Sequence, residues 1–334
     1  MNNIIKNLTM SASPHIRTNN STRLVMQDVL IALLPATIGS VVFFGVNALI
    51  IIIVSILSAV LSEFVWQKAT KQAVTINDLS AAVTGLLIAF NLPPTVPIYI
   101  PIVGSVFAII IVKQLFGGIG HNFMNPALSA RVMLMLSFGA SFAVFAVPGT
   151  ATPSMIFSGI DVVSKATPLA LIRAGNGFSA LPISAMFFGN IGGSLGETSA
   201  LLLLIGGIYL VIKKVISVRI PVASLVSIMV MAIVFGGSNG LFSGGLDLAL
   251  AHVLSGGALL GSIFMATDYS SSPLTSKGQI IFGAGIGVLT MVIRLWGATP
   301  EGMSYAVLIM NAFAPLIDHL TIKKSFGEQV NKVA

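Results

Sequence analysis

Cysteine is absent from the 334-residue chain, which excludes disulfides, thiolate chemistry and cysteine-ligated iron–sulfur clusters within this polypeptide. Charge is scarce as well: 8% of residues are charged, against roughly a quarter in a soluble domain. Acidic residues are the rarer sign, 10 against 17 basic, for a net charge of +7. That balance alone would suit a nucleic-acid surface, but the basic residues fall between long apolar runs, so membrane topology accounts for them and no nucleic-acid partner is expected. With 55% hydrophobic residues and a mean hydropathy of +0.99, the chain reads as an all-α integral membrane protein surrounded by lipid. No cleavable signal peptide is expected, because the first 23 residues are polar and the apolar run after them is far too long for one.

The apolar runs define the organisation. The uncharged stretch 29–62 is too long for one helix of about 20 residues and suits two, broken near Gly45–Asn47. Residues 79–90 form a short apolar segment ending in Asn91-Leu-Pro-Pro. Further segments are expected over 98–112 and 127–147, then over 198–212, 220–235, 248–267, 280–295 and 304–320. The expected architecture is ten transmembrane helices. It divides into an N-terminal arm (1–23), a first five-helix unit (24–147), a polar island (148–197), a second five-helix unit (198–320) and a basic tail (321–334).

Charge placement supports ten crossings. With both termini cytoplasmic, 14 basic residues fall on that side, Lys113 and Arg131 among them, and only Lys165, Arg173 and Arg294 fall outside. Treating the third and eighth segments as re-entrant loops weakens the split to 11 and 6. The polar island is therefore expected on the extracytoplasmic face.

An internal repeat is also expected. Leu79-Ser-Ala-Ala-Val-Thr-Gly resembles Leu254-Ser-Gly-Gly-Ala-Leu-Leu, Gln114-Leu-Phe-Gly echoes Arg294-Leu-Trp-Gly, and Asn125-Pro-Ala-Leu echoes Asn311-Ala-Phe-Ala-Pro. An odd number of crossings per unit makes the second copy inverted. The short segment 79–90 then reads either as a broken helix, of the kind that lines an ion or ligand site, or as a short helix in a thin region of bilayer.

Within the island, Asp161, Ser164, Ala166 and Thr167 fit the pattern D-x-x-S-x-A-T, followed by Pro168 and Leu169. At such a pattern a flavin transferase joins the phosphate of FMN to the threonine hydroxyl. That hydroxyl is a poor nucleophile at its ordinary pKa, so the transferase must supply the activation and the acceptor needs only exposure among small neighbours. A second reading stands beside this one: Thr167-Pro168 before Leu169-Ala-Leu-Ile is also the signature of a helix N-cap with proline in the first turn.

Further blocks extend the pattern over nearly the whole chain. They are Ser13-Pro-His-Ile-Arg17, Met26-Gln-Asp-Val-Leu-Ile-Ala-Leu-Leu-Pro35, Asn122-Phe-Met-Asn-Pro-Ala127, Ala266-Thr-Asp268, Ser272-Pro-Leu-Thr-Ser-Lys-Gly278, Met310-Asn-Ala and Pro315-Leu-Ile-Asp318. In this order they resemble the family that unites the D subunit of the Rnf ion-translocating electron-transport complex with the B subunit of the sodium-pumping NADH:quinone oxidoreductase. The short N-terminal arm favours the Rnf branch, and Lys165 departs from the glycine common there without touching the acceptor.

The resemblance implies a urea-transporter-like fold of two inverted five-helix repeats in the cytoplasmic (inner) membrane. It implies covalent FMN on Thr167 and a second, non-covalent flavin, riboflavin or FMN, among the helices. It also implies partnership with the A, B, C, E and G subunits of the complex, maturation by a flavin transferase, and electron transfer between ferredoxin and NAD coupled to movement of sodium ions or protons. Such a subunit is not catalytic by itself.

Polar residues in the apolar segments are candidates for the ion path or the second flavin site: Asn91, Asn125, Asp268 and Asn311. Asp28 and Asp247 read as helix N-caps. His15, His121, His252 and His319 lack metal-ligand spacing, so no metal is expected. Gly117, Gly118 and Gly120 are followed by no Gly-Lys-Ser/Thr and make no phosphate loop. The rival from another class is a channel or carrier for a small neutral solute on the same inverted repeat, which has no need of the Asp161–Thr167 pattern.

Overall fold

The long apolar run near the N-terminus holds two helices, as its length requires. α1 spans Thr22–Phe44 and α2 spans Val46–Ala69, with Gly45 between them at positive φ. Ser21 starts the first by accepting the Leu24 N–H. A computed structural model describes residues 21–146, 148, 167–173, 183–237 and 245–322. Among these residues the chain is helical, without β-strands.

In chain order there follow α3 (Ser80–Phe90), α4 (Tyr99–Gln114, its second half a π-helix) and α5 (Pro126–Ser137). Two short helices, α6 (Pro168–Arg173) and α7 (Ile183–Phe188), precede α8 (Ala200–Ile212) and α9 (Arg219–Phe235). α10 (Leu246–Leu254) and α11 (Ala258–Met265) meet at a bend of 66°. α12 (Ser276–Trp296) and α13 (Met303–Thr321) complete the described chain.

Four of these helices, α1, α2, α12 and α13, are long and apolar enough to cross a membrane, and the bent pair α10–α11 makes a fifth span if counted as one. The other expected crossings are apolar but short. α3, with 11 residues, rises about 16 Å, half of a hydrocarbon core of about 30 Å. α5 stops at Ser137, well before Val147, where the chain turns through a 3-10 segment, Gly139–Phe142.

Packing follows small residues. α1 and α8 run antiparallel: Tyr209 donates its hydroxyl to Asp28 at 2.7 Å near one end, and Gly39 faces Leu202 near the other. Midway, a Cβ on Gly206 would lie 2.0 Å from the Ala32 carbonyl, so only glycine permits this approach. α5 and α13 are likewise antiparallel, with Asn125 beside Asn311 and Arg131 bonded to Glu301 just before α13. Outward-facing Ile38, Val42, Leu57, Leu61 and Val65 are exposed, as expected of side chains turned to lipid.

Two charge assignments change. Lys113 and Arg131, counted above as cytoplasmic, are only 3% and 4% exposed and ion-paired within the helical body. They are internal charges with partners on other elements, so they do not mark a loop. Asp28 is no N-cap either: Ser21 fills that place, and Asp28 sits in the second turn of α1 holding Tyr209. Asp247 lies in the first turn of α10, behind the cap residue Gly245.

Candidate functional site

Thr167 is partly exposed and sits at the start of α6, with Pro168 following. Its Oγ1 accepts the Ala170 N–H at 3.3 Å, so the capping reading of this dipeptide holds. Capping uses one lone pair, and among the described residues the hydroxyl proton has no acceptor. Asp161, Ser164 and Ala166 lie outside the described residues. Pro168 and Leu169 are buried, and Leu169 wedges α6 against the break between α10 and α11. Gly256 stands there at φ +62, and a Cβ on it would lie 2.1 Å from Leu169 Cδ1.

On its other side Thr167 opens on a cavity of about 570 Å³, within the roughly 300–1,000 Å³ range of small-molecule sites. Met135, Phe142, Phe145 and Tyr305 give it apolar and aromatic walls, and Arg131 and Glu301 supply charge. Arg131 is the hub. Its Nη1 donates to Glu197 Oε1 at 2.9 Å and to Asn91 Oδ1, and its Nη2 donates to Glu301 Oε2. Its Nε has no hydrogen-bond partner among the described residues. Burial, reinforced by the neighbouring Glu301 charge, pushes the Glu197 carboxyl up to about 7 against the pull of Arg131. A smaller cavity joins Thr167 to Glu197, Glu301 and Gly256.

The two helix breaks are closed differently. After α3 the Phe90 and Leu92 carbonyls are met by backbone from a distant segment, the Gly196 and Leu195 N–H groups at 3.0 Å, while the Asn91 side chain donates to the Leu87 carbonyl at 2.7 Å. At the end of α10 side chains serve instead: the Ser255 hydroxyl donates to the Ala251 carbonyl, and Arg294 donates to the carbonyls of His252, Ser255 and Gly256. Both devices answer the same demand, since carbonyls freed inside a membrane protein need partners from the protein itself.

The four polar candidates from the sequence gather around the C-terminal end of α11 and the turn after it. Asn91, which caps α3, contacts Met265 Sδ at 3.7 Å, and Asn125, which caps α5, donates to the Met265 carbonyl at 3.0 Å. With its amide turned to satisfy both ends, Asn311 accepts the Asn125 N–H at 3.0 Å and donates to the Ser271 carbonyl at 3.2 Å. Asp268 accepts from Asn122, Ser270 and Ser271 at 3.0–3.1 Å. Asp268, Asn122 and Asn125 line a second, narrower cavity of about 110 Å³, together with Lys113.

Lys113 belongs to a separate cluster. Its ammonium bonds both oxygens of Glu63, at 2.9 and 3.0 Å, and Ser80 Oγ at 2.6 Å, while Gln114 donates to Glu63 at 2.7 Å. Among the described residues no group of three or more His, Asp or Glu side chains is placed to hold a metal ion.

Motif and spacing do not single out Arg131, Glu197, Glu301 or Lys113 as site residues. The usable signal is a lone arginine in an apolar segment, which in a membrane helix marks a site more often than a loop.

Residues 9–327 match the model of the NQR2, RnfD, RnfE family. The chain belongs to this family. It is 48% identical over 323 residues to the D subunit of the Na(+)-translocating ferredoxin:NAD(+) oxidoreductase complex of Acetobacterium woodii, covering 96% of each chain. It is 41% identical to the D subunit of the proton-translocating ferredoxin:NAD(+) oxidoreductase complex of Clostridium ljungdahlii, covering 97% of this chain and 98% of that one. A third relative, the D subunit of the ion-translocating oxidoreductase complex of Cellvibrio japonicus, is 37% identical, over 95% and 94% of the two chains.

Proposed function

We propose that this chain is the membrane-embedded D subunit of an ion-translocating ferredoxin:NAD oxidoreductase complex in the cytoplasmic membrane, and that it carries FMN as a phosphoester on Thr167. The observation that carries the reading is Thr167 itself, a partly exposed hydroxyl at the mouth of a cavity of about 570 Å³. The residues present fit the group. The cavity has the volume and aromatic walls for a fused-ring ligand, and the orphaned Nε of buried Arg131 is the kind of polar atom that a ligand completes. When bound, a flavin would supply the electron-carrying chemistry that a cysteine-free chain lacks.

The chain's own residues do the rest. Thr167 tethers, α6 fixes the tether against the α10–α11 break, and Arg131 with Glu301 sets the charge of the cavity wall. Asn91, Asn125, Asp268 and Asn311 frame the ion path, or a second, non-covalent flavin, between the broken helices. The antiparallel pairs α1–α8 and α5–α13 support an arrangement of two inverted five-helix repeats. Both termini are then cytoplasmic and Thr167 faces the opposite side. The other Rnf subunits are the electron-transfer partners, and a flavin transferase loads Thr167. The translocated ion is sodium or the proton, the two named for the relatives above.

The test is direct. Co-express the chain with an active flavin transferase, separate it on a denaturing gel and excite with ultraviolet light. The wild-type band is expected to fluoresce and Thr167→Val to be dark. A dark wild-type band in the presence of active transferase overturns the reading and leaves the neutral-solute carrier, which flux into proteoliposomes would then test.

A further inference from the structure

Arg131 brings one positive charge to two carboxylates, and it is 4% exposed. Glu197, 7% exposed, accepts from Nη1, and Glu301 accepts from Nη2. Among the described residues, the other charged and titratable groups of this neighbourhood do not remove the imbalance by direct contact. Arg294, from α12, is engaged by three backbone carbonyls and acts on Glu197 only through space. Arg173, on α6, is engaged by the carbonyls of Gly297 and Ala298. His252 on α10 adjoins Arg294, and Tyr305 on α13 stands in the cavity wall. Glu301 lines both cavities that touch Thr167, and Glu197 lines the smaller. A charge arriving in the larger cavity therefore lies beside a cluster whose own groups are largely buried, where screening is weaker than in water.

We infer that Glu197 and Glu301, held on either side of Arg131, form a proton-binding pair that takes up one proton when an electron enters the cavity beside Thr167. The inference rests on the flavin reading above. The step balances: a donor of the flavin or iron–sulfur class is oxidised by one electron, the group carried on Thr167 is reduced by it, and one proton leaves a hydronium ion at the cavity mouth, breaking an O–H bond there, to bind a carboxylate oxygen. The carboxyl O–H bond is the only bond formed and the net charge of the site is unchanged. On reoxidation both depart. The proton is assigned to the pair as a unit, because the two carboxylates share one guanidinium.

Redox-difference infrared spectroscopy of the flavin-loaded protein tests this. On reduction, wild type is expected to gain a protonated-carboxyl C=O band that shifts in heavy water and is lost in Glu197→Gln or Glu301→Gln. The midpoint potential of the flavin is expected to lose pH dependence in the same variants, by up to one proton per electron, about 59 mV per pH unit. Absence of the band in wild type, or its persistence in both variants, overturns the proton pair. The wild-type arm decides even if a variant fails to fold. A dark wild-type gel would sink the flavin reading instead, whereas a fluorescent gel with no carboxyl band sinks only the proton pair.

Discussion

The protein buries two ion clusters, and their stoichiometry separates them. In the first, between α2, α3 and the π-helical half of α4, one lysine meets one glutamate, and all three ammonium donors are used on Glu63 and Ser80. In the second, beneath Thr167, one arginine meets two glutamates and still has an unpartnered Nε among the described residues. The first is closed on itself. The second has a carboxylate in excess and borders the largest of the described cavities, so it responds to charge placed there. Buried ion pairs add little net stability, because desolvation offsets their attraction, yet removing one partner is costly. The two clusters should therefore answer the same substitution differently.

The largest difference is expected at Glu63. Glu63→Gln strands the Lys113 ammonium in a buried site and should cost about 3–5 kcal/mol, read as a fall in apparent unfolding temperature in detergent. Replacing both partners, Glu63→Leu with Lys113→Met, should recover most of that loss, since an apolar pair of similar volume leaves no orphaned charge. If the double variant is as unstable as the single, the loss lies in the Gln114 and Ser80 groups left unpaired rather than in an orphaned charge.

Glu301→Gln is the matched change in the second cluster. Arg131 keeps Glu197, and the new amide still offers an oxygen, so the loss should stay within about 1.5 kcal/mol. A loss as large as that for Glu63→Gln would show that Glu301 is the obligatory counterion and would erase the contrast.

How much of this is legible in the residues depends on the range of the interaction. The α1–α2 division at Gly45, the cap at Thr167 and the break after α3 are local events written in glycine, proline and hydroxyl placement, and they are readable. Asn91, Asn125, Asp268 and Asn311 stand out because amides and carboxyls are rare in apolar runs. The ion clusters are not readable. Arg131 and Glu301 are 170 residues apart and Arg131 and Glu197 are 66 apart, so no periodicity links them. Counting basic residues as loop markers puts Arg131 and Lys113 on the wrong side of the question. A lone arginine among apolar neighbours can equally be read as an internal charge in search of a carboxylate. The length of α3 is visible too, but the charge count favours a full crossing that its 11 residues do not span.

Acidity sharpens the comparison from another side. The Glu197 carboxyl is raised from 4.5 to about 7 by burial and by Glu301. Between those values the folded protein holds a proton that the unfolded chain has released, so this group's contribution is full below about 4.5 and is lost as pH rises through about 7. Glu197→Gln cannot release that proton. The stability of wild type relative to Glu197→Gln should therefore fall across this window, measured as the difference in unfolding temperature at several pH values. A flat difference would mean that Arg131 keeps the Glu197 carboxylate ionised across this window.

The smallest effect is expected at Ser80. Its hydroxyl both accepts from Lys113 at 2.6 Å and donates to Asp78 at 2.6 Å. Ser80→Ala removes one of three partners of the ammonium while Glu63 keeps the other two, so the cost should be about 1 kcal/mol. The same change opens the wall of the narrow cavity that Ser80 and Lys113 share with Asp268. Combining Ser80→Ala with Glu63→Gln separates two accounts of this cluster. If Lys113 is anchored chiefly by Glu63, the serine change should add little once the carboxylate is gone. If instead the losses add in full, the hydroxyl holds the ammonium independently, and the closed cluster is two anchors rather than one.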